Sequence, residues 1–342
     1  MTRSGTNRLH GSAFNYLRND KLDANSWFGN VNGLKRPALR QNDFGFTLGG
    51  PALVPKLYDG RNRTFFFVSY EGLRLIQPVI SVPSRVPSLA ARAQATGMLK
   101  SLLEAYPLPV AAPLADAPAE TPYVTSFSNP SKLNATSVRL DHSFAQRFSV
   151  FGRYNYAPSE NRERGRFVTP SFVAVLPGRT ETATVGSTTI VSPSLTNDVR
   201  FNWSRATASQ IYEQDTFGGA KILPRDILFP SFADPATSLY FVAIGGNDEN
   251  SISPGTFSRN TQRQINLVNT TSWNAGPHAL KFGVDVRGSP LYRGSPIQQD
   301  LNLPHLTALT TGIVPTGEVR QADTISNRAT RTFQPSFRTP GK

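Results

Sequence analysis

Histidines are the side chains best placed for proton transfer or metal ligation near neutral pH. The chain has four: His10, His142, His278 and His305. No two of them share a helical spacing. His278 falls in a short NAGPH segment that reads as a tight turn, where a solvated histidine is expected. There is no cysteine among the 342 residues, which excludes disulfides, thiol nucleophiles and cysteine-based zinc sites. No G-x-S-x-G elbow, P-loop or H-E-x-x-H motif occurs, and nothing nominates a Ser/His/Asp triad. One loop, GGNDENS over residues 245–251, gathers the oxygen donors Asn247, Asp248, Glu249 and Asn250. Its spacing departs from the EF-hand pattern and reads as a solvated loop tip. The expectation is a protein that is not an enzyme, with no catalytic residue, no cofactor and no resident metal.

The formal charge of +13 raises the question of an anionic partner. Nucleic acid would ask for a clustered basic stripe. The nearest approach is NRERGRF at residues 161–167, and Glu163 interrupts it. Elsewhere Arg139, Arg147, Arg153, Arg200, Lys281 and Arg287 are spread over separate segments, so no nucleic-acid partner is expected.

The elements that carry these residues alternate at period two. Phe148, Val150, Tyr154 and Tyr156 share one face, and Val199, Phe201 and Trp203 another. Leu280, Phe282, Val284 and Val286 alternate with Lys281, Asp285 and Arg287. Together with residues 9–18, 42–49, 64–72, 137–144, 181–191 and 262–273, these make about nine half-buried strands. One helix is expected over residues 88–106. There Ala95, Met98, Leu99, Leu102, Leu103 and Tyr106 recur at spacings of three and four, with Arg92, Lys100 and Glu104 elsewhere.

Long and short joins alternate along the chain. Short turns fall at Ala145, Pro193 and Gly276. Long joins fall near residues 30, 100, 170 and 235, and the join near Leu53 belongs with the short set. An outer-membrane up-and-down barrel places short turns on the periplasmic side and long loops outside. The fold class expected is therefore all-β: an antiparallel meander forming part of a large transmembrane β-barrel, with one helix in a long extracellular loop. Phe144, Phe148, Trp273 and Phe282 at one end, and Tyr154, Tyr156, Trp203 and Tyr16 at the other, are candidate girdle aromatics.

The opening SGTNRLHGSAFNYLRNDKLDANSWF and the segment RQNDFGFTLGGPALVPKLYDGRNRTFFFVSYEGLR resemble the junction of plug and barrel in TonB-dependent outer-membrane transporters of the Oar-like kind. VSPSLTNDVRFNWSR and WNAGPHALKFGVDVRG also resemble that family. The resemblance implies energised uptake of a solute such as a siderophore or oligosaccharide. Its implied partners are outer-membrane lipid, an extracellular solute and the TonB–ExbB–ExbD complex, the last reached through an N-terminal part absent from this sequence. It divides the chain into residues 1–8 as the end of the plug, 9–289 as the N-terminal part of the barrel and 290–342 as a long loop and truncated C-terminus. On this reading the chain is a fragment, and no substrate-binding residue is nominated. A barrel-anchored surface adhesion or interaction protein, and a soluble β-sandwich binding module, are the competing expectations.

Overall fold

In a computed structural model the nine period-two segments become nine strands, and a tenth forms in the long join near residue 235. They are β1 (His10–Asn19), β2 (Arg40–Pro51), β3 (Thr64–Ile80), β4 (Ser126–Ala145), β5 (Phe148–Arg164), β6 (Phe172–Ser192), β7 (Leu195–Gln214), β8 (Ser238–Ile244), β9 (Gly255–Ala275) and β10 (His278–Gly288). The structure describes residues 5–81, 83–229, 233–244, 251–294, 297–303 and 316–321. Nine of the strands, all but β8, form an antiparallel meander in which each pairs with its neighbour along the chain. β8 departs from the meander. It touches β9 through Leu239 and Gly255 and runs parallel to Ile297–Leu303.

The turns follow their residues. β9 and β10 meet at Ala275 and His278, leaving a two-residue loop that opens on Gly276 at φ +60. A glycine with positive φ at the first central position is the arrangement of a type II′ hairpin, whose twist suits the flanking strands. Leu53–Val54 and Tyr58–Asp59 form a small hairpin inside the β2–β3 join.

Three expectations need correction. The join near residue 170 is not long: β5 and β6 continue through it, with Val173 opposite Arg164, leaving only residues 165–171. Pro158 and Pro177 lie within these strands, opposite Arg179 and Glu160. Their turn-forming tendency is overridden by the ladder on either side.

The helix over residues 88–106 is two helices, α2 (Leu89–Gln94) and α3 (Gly97–Glu104); α1 (Trp27–Val31) lies in the first long loop. Ser88 caps α2 by accepting the Ala91 N–H. Ala95 and Thr96 are extended and Gly97 sits at φ +56, so the apolar period runs through a break. The period held because Leu102, Leu103 and Ala95 are all buried, whichever helix carries them.

Tyr16 is not on the girdle face. The register pairs Ala13 with Phe46 and Tyr16 with Asp43, one residue out of phase, so Tyr16 points with Phe14 to the polar face of the sheet.

Register otherwise places the two faces as the alternation requires. Val150, Tyr154, Tyr156, Val199, Phe201, Trp203, Phe282, Val284 and Val286 share one face; Arg153, Arg200, Asp285 and Arg287 share the other. The apolar face stands open, with Val185, Phe201, Leu267, Phe282, Val284 and Val286 all exposed. No second sheet covers it among the described residues, as a soluble sandwich would require. From Trp273 to Ile265 the band runs roughly 27 Å along the strand, at about 3.4 Å per residue. A strand tilt of about 40° makes that a height of about 21 Å, close to the hydrocarbon-facing band of about 25 Å in such barrels.

The buried core lies elsewhere. It gathers α3, the loops around it, the upper ends of β6 and β7, and β8: Leu102, Tyr106, Tyr123, Phe172, Tyr212, Tyr240 and Val242 are among its members.

Candidate binding surface at the loop end

On the polar face of the wall, several polar and charged side chains are tied to one another. Arg139 donates to Asp141 at 2.6 Å, and its guanidinium lies 4.2 Å from the centroid of the Phe151 ring. Asn202 donates to Thr184 at 2.8 Å, Thr188 to Asp198 at 2.5 Å, and Asn266 to Asp285. Such a face suits water or another polar body.

At the loop end the long joins fold into a cap. Arg92, expected on the polar side of a helix, is buried and holds the cap from within. It donates to the carbonyls of Pro87 at 3.1 Å, Tyr106 at 3.2 Å and Pro107 at 2.6 Å. Burial lowers its pKa from the usual arginine range, against the raising influence of Glu104. Burial likewise pushes the Tyr106 hydroxyl up, and that of Tyr240 to about 12. Ser171 donates to the Ala105 carbonyl at 2.6 Å, and Lys221 pairs with Glu104 at 3.0 Å, so separate loops are tied together. Arg164 forms a two-pronged contact with Asp215 at 2.8 and 2.5 Å and lies 4.3 Å from the Phe217 ring centroid. At Asp215 burial pushes the pKa up, but the Arg164 hydrogen bond and the Phe217 N–H outweigh it and leave the carboxyl below its ordinary value.

Beside the cap, the first long loop and the end of β3 enclose a cavity of about 580 Å³. Phe28, Leu39, Pro78 and Ile80 supply its apolar walls, and Asp20, Asp23, Asn25 and Arg36 its polar groups. The loop is fixed to β4, where Ser126 donates to the Lys35 carbonyl at 3.0 Å and Ser128 to that of Ala38 at 2.8 Å. Arg36 lies 3.6 Å from Asp20, whose carboxylate also accepts the Leu39 N–H at 3.2 Å. An apolar body with a few converging polar groups, at this size, is the usual form of a small-molecule site.

A sequence model of the outer membrane beta barrel domain family matches residues 1–101 and 93–302. The chain belongs to the outer membrane β-barrel family. Its apolar face is therefore the lipid face, its polar face the lumen, and its place the outer membrane of a Gram-negative cell. No curated protein matches the sequence. Among solved structures, the siderophore receptor PiuA from Acinetobacter baumannii matches with a TM-score of 0.38 and 9% identity, over 92% of this chain and 43% of that one. The barrel chain thus spans less than half the length of that structure.

The remaining residues singled out by chemistry are placed as follows. His142 Nδ1 lies 2.6 Å from the Thr64 hydroxyl, against the Phe144 ring. His10 contacts the Arg8 carbonyl at 3.0 Å. His278 is exposed at the β9–β10 turn. The structure brings none of these three together, and no metal-holding group of carboxylates and histidines occurs among the described residues. His305 and Asn247, Asp248, Glu249 and Asn250 lie outside the described residues. In the 161–167 segment Arg162 pairs with Glu213 at 2.6 Å, Arg164 with Asp215 and Arg166 with Glu163, so its charge is engaged locally. The cavity residues and Arg92 had no period or motif to mark them. Only the SGTNRLHG-to-SWF resemblance ran across the loop that builds the cavity.

Proposed function

We propose that this chain is part of the barrel of a TonB-dependent, Oar-like outer-membrane receptor that takes up a solute with energy supplied through TonB–ExbB–ExbD. The observation that carries the reading is the folded loop end: a packed cap and an adjoining cavity stand over a wall whose inner face is polar and charged. A receptor needs this combination, an outward site for capture and a polar lumen for passage. The resemblance of residues 4–28 and 40–74 to a plug–barrel junction supports the same reading. Strand β1 pairs only with β2, and β10 only with β9, among the described residues. Unpaired backbone groups in lipid cost several kcal/mol each, so further strands complete the barrel, and the chain is a portion of it. The cavity chemistry favours a solute with an apolar body and hydroxyl or amine donors for Asp20 and Asp23. No catalytic step is assigned.

The test is deletion of the gene in its host, with uptake of a panel of siderophores, oligosaccharides and peptides measured in cells with and without a working TonB complex. One solute whose uptake is lost in both strains supports the reading. Unchanged uptake of every solute together with lost surface attachment would establish the adhesion alternative. That alternative draws on the exposed Leu22, Trp27, Phe28 and Val31 of the first loop.

A further inference from the structure

At the turn end the polar face of the wall finishes on a row of hydroxyls. Ser143 is opposite Ser149, Ser149 opposite Thr188, and Thr188 opposite Asp198. Arg63 joins the row, where its carbonyl accepts the Ser143 N–H at 2.8 Å. The β4–β5 turn adds Gln146 and Arg147, and Ile190 donates to the Arg147 carbonyl at 2.8 Å. With the small hairpin of the β2–β3 join, these residues surround a cavity of about 870 Å³. Its wall is fixed, because hydrogen bonds from Tyr58 to Thr64 and from Thr64 to His142 hold the hairpin against β4.

The cavity is positive and its charges are unmatched. The backbones of Arg63 and Arg147 are pinned, yet neither guanidinium has an ion-pair or hydrogen-bond partner among the described residues. No carboxylate lines the cavity. Acids on the adjoining segments are engaged: Asp141 with Arg139 at 2.6 Å, Asp198 with Thr188 and Asp59 with Arg61. Guanidinium forks pair with carboxylates through two parallel hydrogen bonds. Asn62 and Gln146 add amides. Phe144 and Phe148 also line the cavity, stacked with centroids 5.5 Å apart, and both are exposed.

Short turns face the periplasm. The polymer there is the cell wall, a mesh of N-acetylated amino sugars carrying short peptides with free carboxylates. It offers each group a partner: carboxylates for the two arginines, acetamido groups for the amides and the CH-bearing faces of sugar rings for the phenylalanines. An acidic protein segment would use the arginines and leave the aromatic pair uncovered. We propose that this cavity binds a carboxylate-bearing amino-sugar peptide of the cell wall and so tethers the barrel wall to it. The site lies at the opposite end from the cap and is independent of any transported solute.

The test uses the full chain in neutral detergent micelles. Equilibrium binding is measured for a soluble disaccharide tetrapeptide of N-acetylglucosamine and N-acetylmuramic acid, for the same fragment with its carboxylates amidated, and for a glutamate-rich peptide of equal charge. The intact fragment is expected to bind at least about tenfold tighter than the amidated one. Arg63→Gln/Arg147→Gln should remove that preference, and Arg63→Lys/Arg147→Lys should keep part of it. Phe144→Ala/Phe148→Ala should weaken the fragment and leave the acidic peptide unchanged. Lys100→Gln/Arg225→Gln, the same charge change at the loop end, should leave all binding intact. Equal binding of the intact and amidated fragments by the unaltered chain overturns the proposal, whether or not any variant folds. So does a preference that survives in the double glutamine variant. An acidic peptide that binds as tightly as the fragment would mark a protein partner instead and would also overturn it.

Discussion

The wall and the cap are built from the same kinds of residue and bury them in opposite senses. Phe201, Val284 and Leu267 of the wall are exposed, while Phe172, Val242 and Leu102 of the cap are buried. The cap is an ordinary aqueous domain in which apolar side chains collapse on one another and polar groups are satisfied inside, as Arg92 satisfies three carbonyls. The wall has no such core. Its order comes from the backbone ladder, and its apolar groups wait for lipid. The boundary between the two regimes passes through single strands: Phe172, Ala174 and Val175 at the upper end of β6 are buried, whereas Val185 and Ile190 further down are exposed. Which solvent a stretch meets decides the packing of a β-strand more than its residue types do.

The largest effect should separate the two regions outright. Phe172→Ala should cost the cap about 3–5 kcal/mol, read as faster amide exchange across residues 97–106. Phe201→Ala in lipid should change wall exchange little, because lipid tails refill the space. Similar losses from both would break the contrast.

Next, Val284→Arg, in the middle of the lipid band, should cost about 2–4 kcal/mol in bilayer folding titrations. Thr184→Arg on the lumen face should be close to neutral. Equal costs would mean that the faces are wrongly assigned.

Arg92→Met should free the carbonyls of Pro87, Tyr106 and Pro107 inside the cap, at about 1–3 kcal/mol. Limited proteolysis should then cut residues 107–119 faster while the strands stay resistant.

A pH titration sharpens the contrast further. Tyr240 ionises at an ordinary 10.0 when unfolded and is pushed up to about 12 in the cap. Its folded pKa is the higher, so its contribution is complete below pH 10.0 and is lost as the pH rises towards about 12. Tyr106 shifts in the same direction. Asp215 has the opposite sign. Its contribution is present at neutral pH and is lost as the pH falls below the usual carboxylate range. Near-ultraviolet circular dichroism should show the cap opening in alkali, and Tyr240→Phe should blunt that change.

The smallest effect is at a turn. Gly276→Ala places a Cβ at φ +60 with open space around it, so only backbone strain of about 1–2 kcal/mol is added. A lower refolding yield with an unchanged cap would place the cost in the β9–β10 hairpin.

Alternation alone was enough to show the strands and their two faces, because a pleat turns every second residue the same way. It failed at Tyr16, where the face depends on a one-residue register that only the Phe46 and Asp43 partners on β2 set. The apolar spacing from Ala95 to Tyr106 marked Ala95, Leu102, Leu103 and Tyr106, which are buried, but also Met98, which is exposed. It hid the break at Thr96 and Gly97, since a periodic pattern survives a bend that still turns its residues inward. The stretch around residue 170, which holds Pro158 and Pro177 on either side, read as a long join, but neighbouring ladders carried most of it into strand.

What the sequence determined by itself is local: which residues alternate, where a glycine opens a turn, and that no thiol chemistry exists. Tertiary structure alone decided what those residues face. Arg92 became an internal clamp, Arg205 and Arg263 came side by side across more than fifty residues of chain, and the cavity formed from a loop and a strand end without any shared motif. The physical reason is that side-chain direction is a property of a few neighbouring dihedrals. Burial, ion pairing and like-charge contact depend instead on strands brought together from far along the chain, and no local pattern records those distances.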